Sequence, residues 1–308
     1  MELFKTYIEQ PVFNLLEFIY AVIPGHDLGL SIIIFTIIIR IALWPLVKKQ
    51  LHQAKAMRKL QPELKKIKQS AKGDRQKEAR LQMELYKEHG VKPFATIGTL
   101  IIQLPIFIAL YQSVNKLIND SNIIFSFSYE WVRELDWIQQ LSVDITLFDH
   151  TLFGVVDLSR RAIDSGGLYV PALMVAIAAA VMQYYQSKLM MLDNKDSKKL
   201  SDILKQAASG QQADQSEVGA AVSRTMLYFL PFITFIFAVS VPSALALYLL
   251  TSSAVGYLQQ AYVLNQDKDE MHELAVAAEA VEKSSAKTKK TSNKKSKKSS
   301  SKKKRRKK

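Results

Sequence analysis

Leu28–Val47 reads LGLSIIIFTIIIRIALWPLV, and one arginine interrupts an otherwise apolar run. Twenty helical residues at about 1.5 Å each reach roughly 30 Å, the thickness of a bilayer's hydrocarbon core. Arg40 lies eight residues before Lys48, which sets it roughly 12 Å inside that core from the nearer end. A charge near the centre of such a helix costs about 2.5–3.5 kcal/mol on insertion scales, and more on an isolated helix. Isoleucine and leucine offer it no partner, so water, a polar residue of another helix or a ligand must. The alternative is an arginine that snorkels to the headgroups. Its stem covers about half that depth, so the bilayer would also have to thin. An intramembrane arginine is by default a functional-site expectation, and the rest of the chain reads as a frame for a hydrated place around it.

Four further runs have the length and apolarity of spans: 93–114, 168–189, 225–240 and 243–263. Gln103 and Pro105 fall in the middle of the first, where the proline kinks the helix and the glutamine is expected to face protein or water. Gln183 stands near the far end of the second, Pro231 kinks the third, and Thr251, Ser252 and Ser253 form a polar strip on the last. Only Val241-Pro242-Ser243 separates the last two, which predicts a tight helical hairpin. Residues 1–24 carry Glu2, Glu9, Gln10 and Glu17 among aromatic and aliphatic residues, the pattern of an interfacial amphipathic helix ended by Pro24-Gly25.

Residues 48–92 hold fourteen Lys/Arg against five acidic residues. Met57, Leu60, Leu64 and Ile67 mark an apolar stripe on one helix, with Ala79, Met83 and Tyr86 on a second, and Lys72-Gly73-Asp74 is the turn between them. Residues 115–167 are acidic and aromatic and predict short amphipathic pieces; Asp144, Asp149 and Asp157 lack the spacing of a Ca²⁺ loop. Residues 190–224 form a polar loop, and 264–308 a basic tail that ends KKKRRKK and buries nothing.

The formal charge of +14 sits mostly in the 48–92 segment and the tail, which points to ribosomal RNA or anionic lipid as a partner. Cysteine is absent, which excludes disulfides, thiolate metal sites and cysteine catalysis. The N-terminus resembles neither a signal nor a transit peptide, so the chain is expected to stay whole. The five histidines are scattered, and HExxH, GxSxG and phosphate-binding glycine loops are missing, so neither an enzyme, a metal site nor a cofactor is expected. By the positive-inside rule, segments 48–92, 190–224 and 264–308 share the cytosolic side if the N-terminus is outside, and they carry thirty-five of the forty-two basic residues. The fold class expected is an all-α polytopic membrane protein with five transmembrane helices. Two other readings stand beside a machine that acts on membrane proteins: an anion channel or transporter that uses Arg40, and a passive ribosome anchor.

Five stretches in order now bear on the family: DLGLSIIIFTIIIRIALWPL, MRKLQPEL, ELYKEHGVKPF with IIQLPIFIALY, FGVVDLS, and PSALALYLLTSSAVGYLQQ. Over about residues 1–265 the chain resembles the YidC/Oxa/Albino membrane protein insertases. The resemblance implies a five-helix core around a hydrophilic groove open to cytosol and lipid, a cytosolic helical hairpin and an outer amphipathic helix. It places Arg40 on the family's groove arginine and Gln103 on a polar groove position, with Thr36, Gln183 and Ser252 as further expected groove residues. Lys65 and Lys66 of the hairpin and Lys298, Lys303, Arg305 and Arg306 of the tail are the expected ribosome or targeting contacts. Nascent membrane proteins, the ribosome, the Sec translocon, the signal recognition particle pathway and anionic lipid are the implied partners, and the bacterial cell membrane the implied location. The chain departs from the family where Pro-Ala-Gly-Leu is often found, here Pro242-Ser243-Ala244-Leu245, and where a common Asn is replaced by Ser252 or Ser253. No stretch among these 308 residues matches the large extracytoplasmic β-domain of some members.

Overall fold

The computed structural model describes residues 2–71, 74–91, 97–119, 123–190 and 215–266. The chain falls into two units, Met1–Gln260 and Ala261–Lys308. Of the second, 261–266 are described and are helical.

Helix α1 (Glu2–Phe4) and a π-helical segment (Lys5–Glu9) lead into α2 (Gln10–Val22), with Pro11 in the first turn where its missing N–H leaves nothing unbonded. Helix α2 departs from the interfacial expectation. Phe13, Asn14, Leu16 and Glu17 are all buried, and the helix is covered by the segment that follows α7. The polar residues that argued for a half-bare helix have distant partners instead. Lys116 pairs with Glu9, the Ser128 hydroxyl donates to Glu17, and Gln10 Nε2 donates to the Phe127 carbonyl at 3.3 Å.

Asp27 caps α3 (Leu28–Ala42) by accepting from the Leu30 amide at 2.7 Å. The apolar run was expected to be one span to Val47, but α3 stops at Ala42 and α4 (Trp44–Lys59) departs with a bend of 61°. Pro45 explains the break. Its ring obstructs continuation of the old helix and suits the first turn of a new one. Arg40 therefore sits in the last turn of α3 rather than deep within a longer helix. The partial negative charge at a helix's C-terminal end favours a cation.

Helices α5 (Gln61–Ala71) and α6 (Arg75–Glu88) pack together. Leu60, Leu85 and Val91 form their core, with Met57, Leu64, Ile67 and Tyr86 against it. The expected stripe on the second arm shifts, because Met83 and Ala79 are exposed and Leu85 points inward. Helix α7 (Ile97–Asn119) runs on through Pro105.

Three short helices follow: α8 (Ile123–Phe127), α9 (Glu130–Arg133) and α10 (Asp136–Val143). Two small antiparallel ladders then qualify the all-α expectation. Strand β1 (Thr151–Leu152) pairs with β2 (Val156–Asp157), and β3 (Ile163–Asp164) with β4 (Gly167–Leu168). Leu152 packs on Gly29, where an added Cβ would lie 2.6 Å from the leucine Cβ. This hairpin is therefore fitted to the start of α3.

Helix α11 (Val170–Met190) packs along α12 (Gln215–Ser240), and the last described helix covers 243–266. Ala176, Ala238 and Ala246 meet where these three approach, small residues that let backbones come close. The first free amides of the last helix are satisfied by the hairpin segment, Ser243 N donating to Arg160 O at 2.8 Å and Ala244 N to Leu158 O at 3.1 Å. The Ser243 hydroxyl donates to Asp157 O at 2.7 Å. The FGVVDLS and PSAL motifs are thus two sides of one junction.

Large apolar side chains stay uncovered on several helices, among them Ile41 on α3, Ile108 on α7, Met174 on α11 and Phe232 on α12. Water-exposed apolar surface on this scale is unusual, and a lipid contact accounts for it. Among the described residues, Val170–Leu189 alone is long and apolar enough to cross a membrane, the bent pair Leu28–Ala42 and Trp44–Leu64 qualifies jointly, and Leu227–Ser240 is a shorter apolar helix.

Candidate functional site

The last helix organises the site. Tyr248, Ser252 and Gly256 recur every four residues and therefore share one face, while Ser253 stands one position round towards α11. Arg40 comes to this face from α3. Its Nη2 donates to Ser252 Oγ at 2.6 Å and its Nε approaches the same oxygen at 3.1 Å. Gln103 comes from α7, and its Nε2 donates to Ser252 Oγ at 2.9 Å and to Tyr248 Oη at 3.2 Å. Gln259 Nε2 donates to the backbone carbonyl of Arg40 at 2.9 Å and so fixes the end of α3.

Arg40 is only 9% exposed. Among the described residues no carboxylate pairs with it, and its hydrogen bonds go to a neutral hydroxyl. Removing a charge from water without a counter-charge is expensive, so several favourable contacts must compensate. The Ser252 oxygen supplies one of them. A small cavity lies beside the guanidinium, lined by Thr36, Ile39, Leu43, Gln103, Ile106 and Tyr248, with room for about one water.

Gly256 is the closest approach. A Cβ there would lie 2.3 Å from Gln186 Nε2 and 3.3 Å from Arg40 Nη1, so glycine leaves the space that both side chains occupy. On the α11 side, Ser253 Oγ donates to Gln183 Oε1 at 2.9 Å, and Gln183 Nε2 to Ser187 Oγ at 3.3 Å.

Arg40, Gln103 and Ser252 are therefore joined directly. Thr36 lines the same cavity, although its hydroxyl donates to Ile32 O of its own helix at 2.6 Å. Gln183 belongs to a neighbouring cluster on α11. Tyr248, Gly256, Gln186 and Gln259 were not expected. The four-residue spacing from Ser252 was the available signal for the first two. Lys65 and Lys66 lie on α5, with Lys66 exposed, while Lys298, Lys303, Arg305 and Arg306 lie outside the described residues. Among the described residues no cluster of His, Asp or Glu is arranged to hold a metal.

The sequence pattern of the family described as 60Kd inner membrane protein matches residues 18–271. The chain is 29% identical over 246 residues to the membrane protein insertase MisCA of Bacillus subtilis, a match that covers 79% of this chain and 72% of that one. It is 27% identical over 266 residues to the membrane protein insertase YidC of Streptomyces avermitilis, covering 81% of this chain and 54% of the relative. With the YidC of Tolumonas auensis the identity is 37% over 129 residues, 42% of this chain and 23% of the relative. The chain thus spans about half or less of the last two. The family match runs from α2 through the whole helical core and the Arg40 site, and the chain belongs to the 60Kd inner membrane protein family, the YidC/Oxa/Albino family that its motifs resemble.

Proposed function

We propose that this chain is a membrane protein insertase and chaperone that draws short outer segments of nascent membrane proteins partway across the bilayer. The observation that carries the reading is a buried guanidinium among helices that, among the described residues, is held by neutral partners. A charge not neutralised by a structural carboxylate remains available to an acidic segment. In a medium of lower dielectric than water the attraction is stronger than it would be at the surface.

Access requires Ser252 and Gln103 to release Arg40, because the cavity beside it holds about one water. Each hydrogen bond from the charged guanidinium contributes roughly 1.5–3 kcal/mol net, and an arriving carboxylate, itself charged, offers a stronger acceptor than the hydroxyl it displaces. The substrate's own helix then partitions into lipid at about 0.8 kcal/mol per buried CH₂. The membrane potential aids each negative charge that moves outward by about 2.3 kcal/mol per 100 mV. No nucleotide enters this scheme.

The reading includes five spans (28–47 with a break where α3 ends at Ala42, 93–114, 168–189, 225–240 and 243–263) with the N-terminus outside and the basic segments in the cytosol. The groove is lined by Arg40, Gln103, Thr36, Gln183 and Ser252. Lys65, Lys66 and the tail residues Lys298, Lys303, Arg305 and Arg306 hold the ribosome or targeting factor near, which raises local substrate concentration. The charge distribution and the exposed apolar helix faces support this arrangement.

The absence of native cysteine permits a direct test. A ribosome-stalled single-span substrate with one cysteine in its acidic tail is presented to Thr36→Cys and Ser142→Cys variants under oxidising conditions. A disulfide to position 36 and none to 142 is the expected result. Anion flux through sealed vesicles without crosslinking at 36 would favour a channel.

A further inference from the structure

The hairpin β1–β2 turns at Phe153, Gly154 and Val155, and its two apolar tip residues are 69% and 71% exposed. Phe153 adopts φ 53, a left-handed conformation that bulky residues rarely take. Its amide donates to Asp27 Oδ2 of the α3 cap, so the tip is held in this conformation. A phenylalanine fixed outward on an unfavourable backbone gains nothing from the interior, and contact with something outside offsets the cost.

The tip is tied to the head of α11. The Tyr169 hydroxyl accepts from Asp157 N at 2.7 Å and donates to Val155 O at 3.4 Å. Leu168 precedes that tyrosine and is also exposed. After it, Val170, Met174, Ile177, Val181 and Tyr185 are all exposed at steps of three and four, one apolar face of a helix long enough to cross a membrane. Leu168 adjoins that face at the helix start, and the tip with Phe153 and Val155 is joined to it through Tyr169. The Arg160 guanidinium lies over the Tyr169 ring at 4.2 Å, and Arg161 beside it is exposed. Arginine with tyrosine is the pairing found where a protein meets headgroups.

We propose that the β1–β2 hairpin is a lipid anchor, with Phe153 and Val155 inserted beside Leu168 in the interfacial layer of the leaflet at the N-terminal end of α11. The proposal rests on reading α11 as a span. Through Asp27 and the Leu152–Gly29 contact, the anchor sets the depth of α3 and hence of Arg40.

The test uses single-cysteine variants of the full chain, Phe153→Cys, Val155→Cys, Met174→Cys and the water control Ser142→Cys. Each carries an environment-sensitive nitrobenzoxadiazole label in phosphatidylethanolamine/phosphatidylglycerol vesicles. The expected result is a blue shift at 153 and 155 with loss of emission to a lipid nitroxide near the headgroup, and at 174 loss to a deep one. Quenching at 174 with water-like emission at 153 and 155 overturns the anchor and leaves the span standing. A blue shift at 153 and 155 that no lipid quencher reaches overturns it in favour of a protein partner or a second copy. Water-like emission at all three positions overturns both the anchor and the span.

Discussion

Arg40 and Ser252, 212 positions apart, meet through Nη2 at 2.6 Å and Nε at 3.1 Å on a single hydroxyl oxygen. The contact closes α3 onto the last helix, and among the described residues no carboxylate pairs with the guanidinium.

Ser252→Ala removes that oxygen, which is also one of the two acceptors of Gln103. A buried polar group that loses its partner costs about 1–3 kcal/mol, more when it is charged. Thermal unfolding in detergent is expected to show a lower midpoint by at least that free energy. Ser252→Thr keeps the hydroxyl acceptor, so it is expected to lose less than Ser252→Ala.

Two glycines should respond oppositely to alanine. At Gly29 the new Cβ meets the Leu152 Cβ at 2.6 Å and the Leu152 backbone at 3.0 Å, neither of which can swing away. Overpacking of this kind costs about 1–3 kcal/mol. At Gly256 the nearest atom is the end of the flexible Gln186 side chain, so Gly256→Ala is expected to fold with a change under about 1 kcal/mol. Its effect should appear in insertion activity, because Arg40 Nη1 is crowded at the same time. Denaturation midpoints and insertion yields measured side by side distinguish the two.

Glu17 makes stability depend on pH. Burial pushes its carboxyl up to about 7 from the usual 4.5, against the opposing Ser128 hydroxyl and Arg133 charge. Between those two values the folded state binds more protons than the unfolded one, so stability falls as pH rises and levels off above about 7. At about 1.36 kcal/mol per pH unit the full loss is about 3 kcal/mol. Glu17→Gln keeps an acceptor for Ser128 and removes the titration. Its midpoint should exceed the parent's by most of that amount at alkaline pH, and the gap should shrink on acidification. Melting curves across the range check both.

The polar chemistry was more legible than its packing. Arg40 and Gln103 stand out because charge and amide are expensive in apolar runs. The early end of α3 was hidden by hydropathy, which continues to Val47, although Pro45 carried the signal for a new helix. The burial of α2 could not be read locally, since Glu9 and Glu17 depend on Lys116 and Ser128, more than a hundred positions away. The two ladders have strands of two residues, too short for an alternating pattern to show. Tyr248 escaped notice because an aromatic in an apolar helix looks like core until its hydroxyl is seen to accept from Gln103.

The most direct measurement is insertion of a single-span substrate with an acidic outer tail, scored by protease protection in vesicles. Parent, Arg40→Lys and Arg40→Glu are compared at matched amounts of folded protein. If a positive charge in this site draws the tail across, parent and lysine variant insert the substrate and the glutamate variant fails. Equal insertion by all three would contradict the account and show that the charge is dispensable.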